Sequence, residues 1–366
     1  MRLGVEAALV AGELVSGDVE VVDGTIAGYG LPPANGRGIA VPGFVDLQVN
    51  GFGGVDFLGA DNDAYARAGE ALLETGVTAF LPTFITAPEA QLVDALHAVP
   101  TTTSGAGPRI LGVHLEGPFL SSVRPGVHPP EARRDPDVML AARLLDAGPV
   151  ALMTIAPELP GAPELVTLLR ARGVVVSCGH SDATAAEAHR AFDLGATTVT
   201  HLFNAMRPLG HRDPGIVGAA LARPDVIVQI IVDGVHLAPE VVQVVWRAAA
   251  ARVALVTDAV AAAGVGDGEF ALGDARIEVR DGVARRVGDG VLAGSVLTML
   301  DAVRNLHALV IPIERALEAA SSVPARVLGS HTVGRIERDA PADLVVLDDG
   351  LAIERVLVGG KTRVAA

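Results

Sequence analysis

Between Pro42 and about Gly329 the chain repeats one unit eight times: a short apolar, β-branched run, a loop, then a segment whose apolar positions recur at helical spacing. The runs are Phe44 to Val49, Ala79 to Ile85, Ile110 to Glu116, Leu152 to Ala156, Val174 to Cys178, Thr197 to His201, Val226 to Val232 and Val253 to Thr257. Apolar runs alternating with helical stretches imply parallel strands joined by crossovers, and eight such strands are the number that closes a barrel. Helical patterns such as Ala64 to Glu74 before Gly76, and Glu164 to Arg172 before Gly173, stop at glycine as helices do. The expected class is therefore α/β, a TIM-type (β/α)8 barrel.

In such a barrel the carboxyl ends of the strands carry the site. The groups there are Gln48 and Asn50, Thr83, His114 and Glu116, Glu158, His180, His201, Asp233 with His236, and Asp258. Any one of them read alone is as well explained by solvation, and Asp258 by a turn or helix cap. Together they are not. Glu116, His180 and His201 supply one carboxylate and two imidazoles, a donor set for a catalytic divalent ion that leaves one position open for water. His180 and His201 lie 21 residues apart, about one strand-helix unit, which puts them on neighbouring strands. The single cysteine, Cys178, rules out a closed thiolate zinc site and a disulfide framework; it is expected to pack inside the barrel. Opposite a metal-activated water, Asp258 can act as general base and then as general acid. His114, two residues before Glu116, is expected to orient that ligand. His97, His189, His307 and His331 are given surface or packing roles.

Two long connections depart from the repeat, the Pro-rich segment Phe119 to Pro136 and a hairpin-like insertion at Phe270 to Val287, both on the site side. Short strands broken by Gly turns occupy the first forty residues, and the same texture returns at Asp343 to Lys361. The two ends are therefore read as one small β-sandwich domain, residues 1–41 and 333–366, around a barrel of residues 42–332 with the insertion near 267–291. A formal charge of −15 argues against nucleic acid or an anionic membrane as partner. No apolar run approaches the ~18 residues of a membrane helix, and the start has no signal-peptide pattern, so a cytoplasmic protein is expected.

The strings Pro42-Gly43-Phe44-Val45-Asp46, His114-Leu115-Glu116-Gly117-Pro118-Phe119, Gly179-His180-Ser181 and Thr200-His201-Leu202-Phe203-Asn204-Ala205-Met206 carry a resemblance. So do Asp233-Gly234-Val235-His236, Val256-Thr257-Asp258-Ala259 and Leu292-Ala293-Gly294-Ser295. Running nearly end to end, the chain resembles the N-acetylglucosamine-6-phosphate deacetylases of the amidohydrolase superfamily. The resemblance implies deacetylation of an amino-sugar phosphate to the amine and acetate, a step of amino-sugar catabolism and cell-wall sugar recycling.

Position by position, the resemblance implies that Glu116, His180 and His201 hold the metal. It makes Asp258 the general acid/base, with His128 near the scissile amide. Val127, His128, Asn204, Ala205, Arg212, Asp233, His236, Leu292, Ala293 and Gly294 look like substrate contacts. In the family the arginine equivalent to Arg212 reaches across a dimer interface to the sugar phosphate, which implies a homodimer with shared sites. Many superfamily members carry His-x-His at the end of the first strand; here the triplet is Gln48-Val49-Asn50, and neutral amides are poor zinc ligands. One divalent ion per chain is expected, zinc first, with iron, manganese, cobalt or nickel as alternatives. Two other readings stay open: a different amidohydrolase, such as a deacetylase for the galacto epimer, and a non-catalytic sugar-phosphate sensor, against which the intact Glu116, His180, His201 and Asp258 weigh.

Overall fold

The computed structural model describes residues 1–32, 36–100 and 107–365. The eightfold repeat closes into a barrel. Its strands, numbered here by themselves, are β1 (Phe44–Val49), β2 (Val77–Ile85), β3 (Val113–Glu116), β4 (Val150–Ile155), β5 (Val175–Cys178), β6 (Thr198–Val199), β7 (Ile227–Ile230) and β8 (Val253–Leu255). Each pairs in parallel with the next. The ring shuts where Val49 bridges Ala259 in parallel and the Asp258 N–H donates to the Gln48 carbonyl at 2.9 Å. The third run is split: Arg109–Ile110 pairs with β2 alone, and the chain breaks at Gly112 before β3 begins. There φ is +123°, and a Cβ would sit 2.6 Å from that of Ala151, so only glycine allows this approach to β4.

Helices lie between successive strands because their ends and faces are written locally. Asp61 caps Asn62–Glu74 by accepting from the Ala64 N–H at 2.8 Å, and Thr184 with Glu187 forms a reciprocal capping box at the start of Ala185–Leu194. That helix ends at Gly195, φ +111°. The buried face of each helix packs on strands buried on both sides; all nine residues of β2 are inside. Inside the barrel, beneath the strand ends, buried polar side chains link in a row. His114 Nε2 meets Thr154 Oγ1 at 2.7 Å, and Thr154 Oγ1 meets Thr200 Oγ1 at 2.7 Å. His114 Nδ1 faces the Leu47 carbonyl at 3.1 Å. His114 therefore makes no hydrogen bond to Glu116, contrary to the expectation that it orients that ligand: neighbours two apart on a strand share a face but differ in depth along the barrel. Burial lowers its pKa to about 4, so it serves as a neutral strut in this row.

Both chain ends meet in one sheet ordered Glu13–Ser16, Ala7–Val10, Ile39–Pro42, Leu344–Leu347, Ile353–Val358, Lys361–Ala365. The hairpin Asp18–Val22 and Thr25–Leu31 covers it around a second core that includes Val5, Ile26, Leu344 and Leu357. Arg109 ties this unit to the barrel through a two-pronged ion pair with the buried Asp343, 2.5 and 3.1 Å. The insertion after β8 has three antiparallel strands, Gly268–Leu272, Ala275–Arg280 and Val283–Arg286, one more than the hairpin read from sequence. Val-Ala-Arg-Arg shows no alternation of its own and becomes a strand by pairing with its neighbour. Among the described residues no helix is long and apolar enough to cross a membrane.

Candidate metal and catalytic site

At the ends of β3, β5 and β6 three side chains converge. Glu116 Oε1 lies 3.1 Å from His180 Nε2 and 2.9 Å from His201 Nε2, and the two nitrogens are 3.1 Å apart. His180 faces the Arg124 carbonyl with Nδ1 at 3.2 Å. A carbonyl only accepts, so the proton sits on Nδ1 and Nε2 turns its lone pair toward the other two atoms. Lone pairs facing one another across about 3 Å need a cation between them. A tetrahedral ion with bonds of ~2.0–2.2 Å spaces its ligand atoms by ~3.3–3.6 Å, a few tenths of an ångström more than this triangle shows. The three buried residues therefore suit a divalent ion.

The electrostatics agree with that fit. Burial opposes ionisation of Glu116, but the His180 and His201 rings held against it outweigh burial and keep its pKa well below the usual carboxylate range. Burial likewise disfavours the His201 imidazolium, yet Glu116 outweighs it and lifts that pKa above the usual histidine range. The set is a fixed negative charge ringed by imidazoles.

Backbone strain marks the same places. His180, His201, Phe203, Ala205 and Asp258 all have positive φ, +46°, +28°, +79°, +49° and +50°. L-residues avoid this region, and a cluster of them at strand ends costs of order 1–3 kcal/mol each, retained where geometry at a site demands it. Gly294 (φ +63°) passes so near Asp258 that a Cβ would lie 2.6 Å from its carbonyl oxygen.

Asp258 stands on the far side of the trio, 8% exposed. Its Oδ1 accepts from Asn50 Nδ2 at 2.7 Å, while Gln48 Nε2 donates to Glu116 Oε1 at 3.0 Å. The two amides at the end of β1 thus orient one carboxylate each. Burial, with the Glu116 charge beside it, pushes the Asp258 pKa up to about 6. His128, on the Pro-rich loop, accepts the Thr86 N–H on Nδ1 at 3.2 Å, which leaves its proton on Nε2, 3.6 Å from Glu116 Oε2. Burial, then the neighbouring His180, lowers its pKa to about 3. It is a neutral N–H donor aimed into the site.

A cavity of about 450 Å³ opens over these groups. Of the residues expected at the site, Glu116, His180, His201, Asp258, Val127, His128, Asn204, Ala205, His236, Leu292 and Gly294 all line it. Three do not. Asp233 lies behind His236, accepting from Nδ1 at 2.7 Å and from the N–H groups of Val235 and His236 at 2.8 Å. Ala293 is fully buried, its N–H donating to the Ala284 carbonyl at 3.1 Å. Arg212 is exposed on the loop before Gly215–Ala222 and has no hydrogen bond or ion pair among the described residues. Nearby Arg124 and Arg207 are instead both paired with Asp182.

Other residues of the site had no signal in the sequence. Thr86 holds His128 through a backbone N–H, and Arg124 holds His180 through a backbone carbonyl; neither contact depends on side-chain type. Arg286 of the insertion donates to the Val127 carbonyl at 2.9 Å and pairs with Asp289, which braces the loop that carries His128. Cys178 is buried and burial raises its thiol pKa, in keeping with a packing role. A larger cleft of about 640 Å³ lies between the small sheet and the helices Ile313–Ala320 and Ser322–Val327, and it contains none of the strand-end groups.

Residues 39–363 match the amidohydrolase family. An N-acetylglucosamine-6-phosphate deacetylase of Danio rerio is 40% identical over 340 residues, 88% of this chain and 84% of its own length. An N-acetylgalactosamine-6-phosphate deacetylase of Escherichia coli O157:H7 is 34% identical, with 94% and 93% covered. Among solved structures, an alanine mutant of the N-acetyl-D-glucosamine-6-phosphate deacetylase of Mycobacterium smegmatis, in complex with N-acetyl-D-glucosamine-6-phosphate, superposes with a TM-score of 0.94 at 38% identity, covering 100% of this chain and 99% of that one.

Proposed function

The chain belongs to the amidohydrolase family, and from that premise we propose that it hydrolyses the N-acetyl group of N-acetylglucosamine 6-phosphate to glucosamine 6-phosphate and acetate. The observation that carries this reading is the convergence of Glu116 Oε1, His180 Nε2 and His201 Nε2 in one cavity with Asp258. Glu116, His180 and His201 would hold one divalent ion, zinc first. When bound, such an ion supplies an acidified water and a Lewis acid for the acyl oxygen.

The chain's own groups account for the proton movements. Asp258, with a pKa near 6 and its Oδ1 fixed by Asn50, takes the proton of the attacking water. The Nε2–H of His128 is placed to stabilise the oxyanion that forms as water adds to the amide carbon. An amine leaves poorly until protonated, so Asp258 returns its proton to the sugar nitrogen as the C–N bond breaks. One carboxyl performs both transfers.

The phosphate would meet His236, whose Nδ1 is held by Asp233, and Arg212 from a second copy. Among the described residues Arg212 has no partner, and it lies off the cavity of its own subunit, which supports a homodimer with shared sites. We take residues 1–41 with 333–366 as the small domain and 42–332 as the barrel, and place the enzyme in the cytoplasm. We favour the gluco epimer because relatives of that name reach 41% identity, against 34% for the galacto enzyme. The test is acetate release from both epimers, with and without chelator. Release from the gluco epimer that stops on chelation is expected; no release would refute the reading, and faster release from the galacto epimer would reassign the substrate.

A further inference from the structure

The cavity lining mixes polar groups with apolar ones, Val127, Leu292, Ile85 and Leu272 among them. On the β6–β7 side stand Asn204 and His236. At the end of β2 and under the insertion stand Ile85 and Leu272, 4% and 3% exposed. Leu272 is not a barrel residue. It closes the first strand of the insertion, fourteen positions after Asp258, and is carried across the mouth by a pinned turn. The Gly273 N–H donates to Asp56 Oδ2 at 2.6 Å, and Asp56 Oδ1 accepts from the Leu58 N–H at 3.0 Å. Packing at the turn is close: a Cβ on Gly273 would come within 3.2 Å of both Ile85 Cδ1 and Leu58 Cδ2. The insertion therefore rests on the loop after β1 and on Ile85, and Leu272 cannot back away without breaking that anchor.

Ile85 directly precedes Thr86, whose N–H fixes His128. Ile85 and His128 both line the cavity, where an acyl carbonyl bound by the His128 Nε2–H would lie. On that carbonyl the acyl substituent is the one apolar part of the substrate, while the sugar hydroxyls and phosphate need polar groups such as Asn204 and His236. Resting on the deacetylase reading, we infer that Ile85 and Leu272 form the acyl wall, and that the insertion, through Leu272, limits the acyl group to acetyl. A methyl packs there, whereas one more methylene must push a pinned side chain, and one methylene in such a pocket decides ~10–200-fold in rate.

The experiment compares kcat/KM for the N-acetyl, N-propionyl and N-butyryl derivatives of glucosamine 6-phosphate, read as carboxylate release. Wild type should fall about tenfold or more at each added methylene. Leu272→Ala should raise the propionyl-to-acetyl ratio about tenfold, and Ile85→Val, a smaller cut that keeps the fold, should raise it in the same direction. Leu272→Met, of similar volume, should hold the wild-type ratio. An unchanged ratio in both Leu272→Ala and Ile85→Val, with acetyl turnover retained, would overturn the wall while leaving the deacetylase reading intact; so would a wild type that accepts butyryl as readily as acetyl. A wild type that releases nothing from any of the three would overturn both.

Discussion

Asp258→Asn isolates proton transfer from every other property of the site. Asparagine has the same shape, tolerates the left-handed backbone at φ +50°, and its amide oxygen can go on accepting the Asn50 Nδ2–H now 2.7 Å from Oδ1. What disappears is the capacity to take and return a proton. One general acid–base group contributes ~10²–10⁴-fold, and Asp258 is assigned both transfers, so kcat should fall by about 10³-fold or more with KM little changed. The same substitution has a stability signature of opposite sign. Burial and the Glu116 charge raise the Asp258 pKa from 3.8 to about 6, so in metal-free protein the ionised carboxylate is disfavoured on folding. At ~1.4 kcal/mol per unit this amounts to about 3 kcal/mol. Because the folded pKa lies above the unfolded one, the cost is absent below pH ~3.8, grows as pH rises through 6, and is constant beyond it. Metal-free Asp258→Asn should then melt above metal-free wild type at pH 8, by about 4 °C at ~2.1 cal/mol/K per residue over 366 residues, and the two should converge toward pH 4. Calorimetry after chelation and acetate release after reloading with zinc, with metal content measured, read both effects. A zinc-loaded Asn variant within tenfold of wild-type turnover would refute the assignment of Asp258. A metal-free variant that melts below wild type at pH 8 would refute the electrostatic argument.

With amides in place of imidazoles at the end of β1, elemental analysis of fully active enzyme should find about one tightly held metal per chain; two equivalents, both required, would contradict a single-ion site. Arg212→Ala should cost about ten- to a hundredfold in kcat/KM on the phosphorylated sugar, the ~1.5–3 kcal/mol of a charged hydrogen bond, and little on the unphosphorylated one. Mixing Arg212→Ala with Asp258→Asn chains should restore activity in mixed dimers, since one site regains both groups; no recovery would place the arginine in its own subunit or outside the site. Arg286→Ala frees the Val127 carbonyl and so loosens the loop that carries His128, with an expected fall in kcat/KM of about tenfold, partly restored by Arg286→Lys. Unchanged kinetics would show that the insertion does not brace that loop.

The barrel was legible in the sequence because its determinants are local: alternating apolar runs, helix caps such as Asp61 and Thr184 with Glu187, and glycine stops repeat at a fixed period. The cluster of Glu116, His180 and His201 was legible for the same reason, since the end of a parallel strand is predictable from the run itself, and each of the three lies within two residues of one. His114 shows the limit: sharing a strand face with Glu116 does not decide depth, and its ring bonds to Thr154 in the layer below. The split at Gly112, the third strand of the insertion and the orientation of every site group arise from contacts between segments far apart in the chain. Asn50 meets Asp258 across 208 positions, Gly273 meets Asp56 across 217, and Arg286 meets Val127 across 159. Several of these contacts use only a backbone N–H or carbonyl, which every residue but proline can offer, so no residue type announces them. The sequence determines which side chains reach the mouth of the barrel; closure of the chain alone decides the distances, tautomers and pKa values with which they meet there.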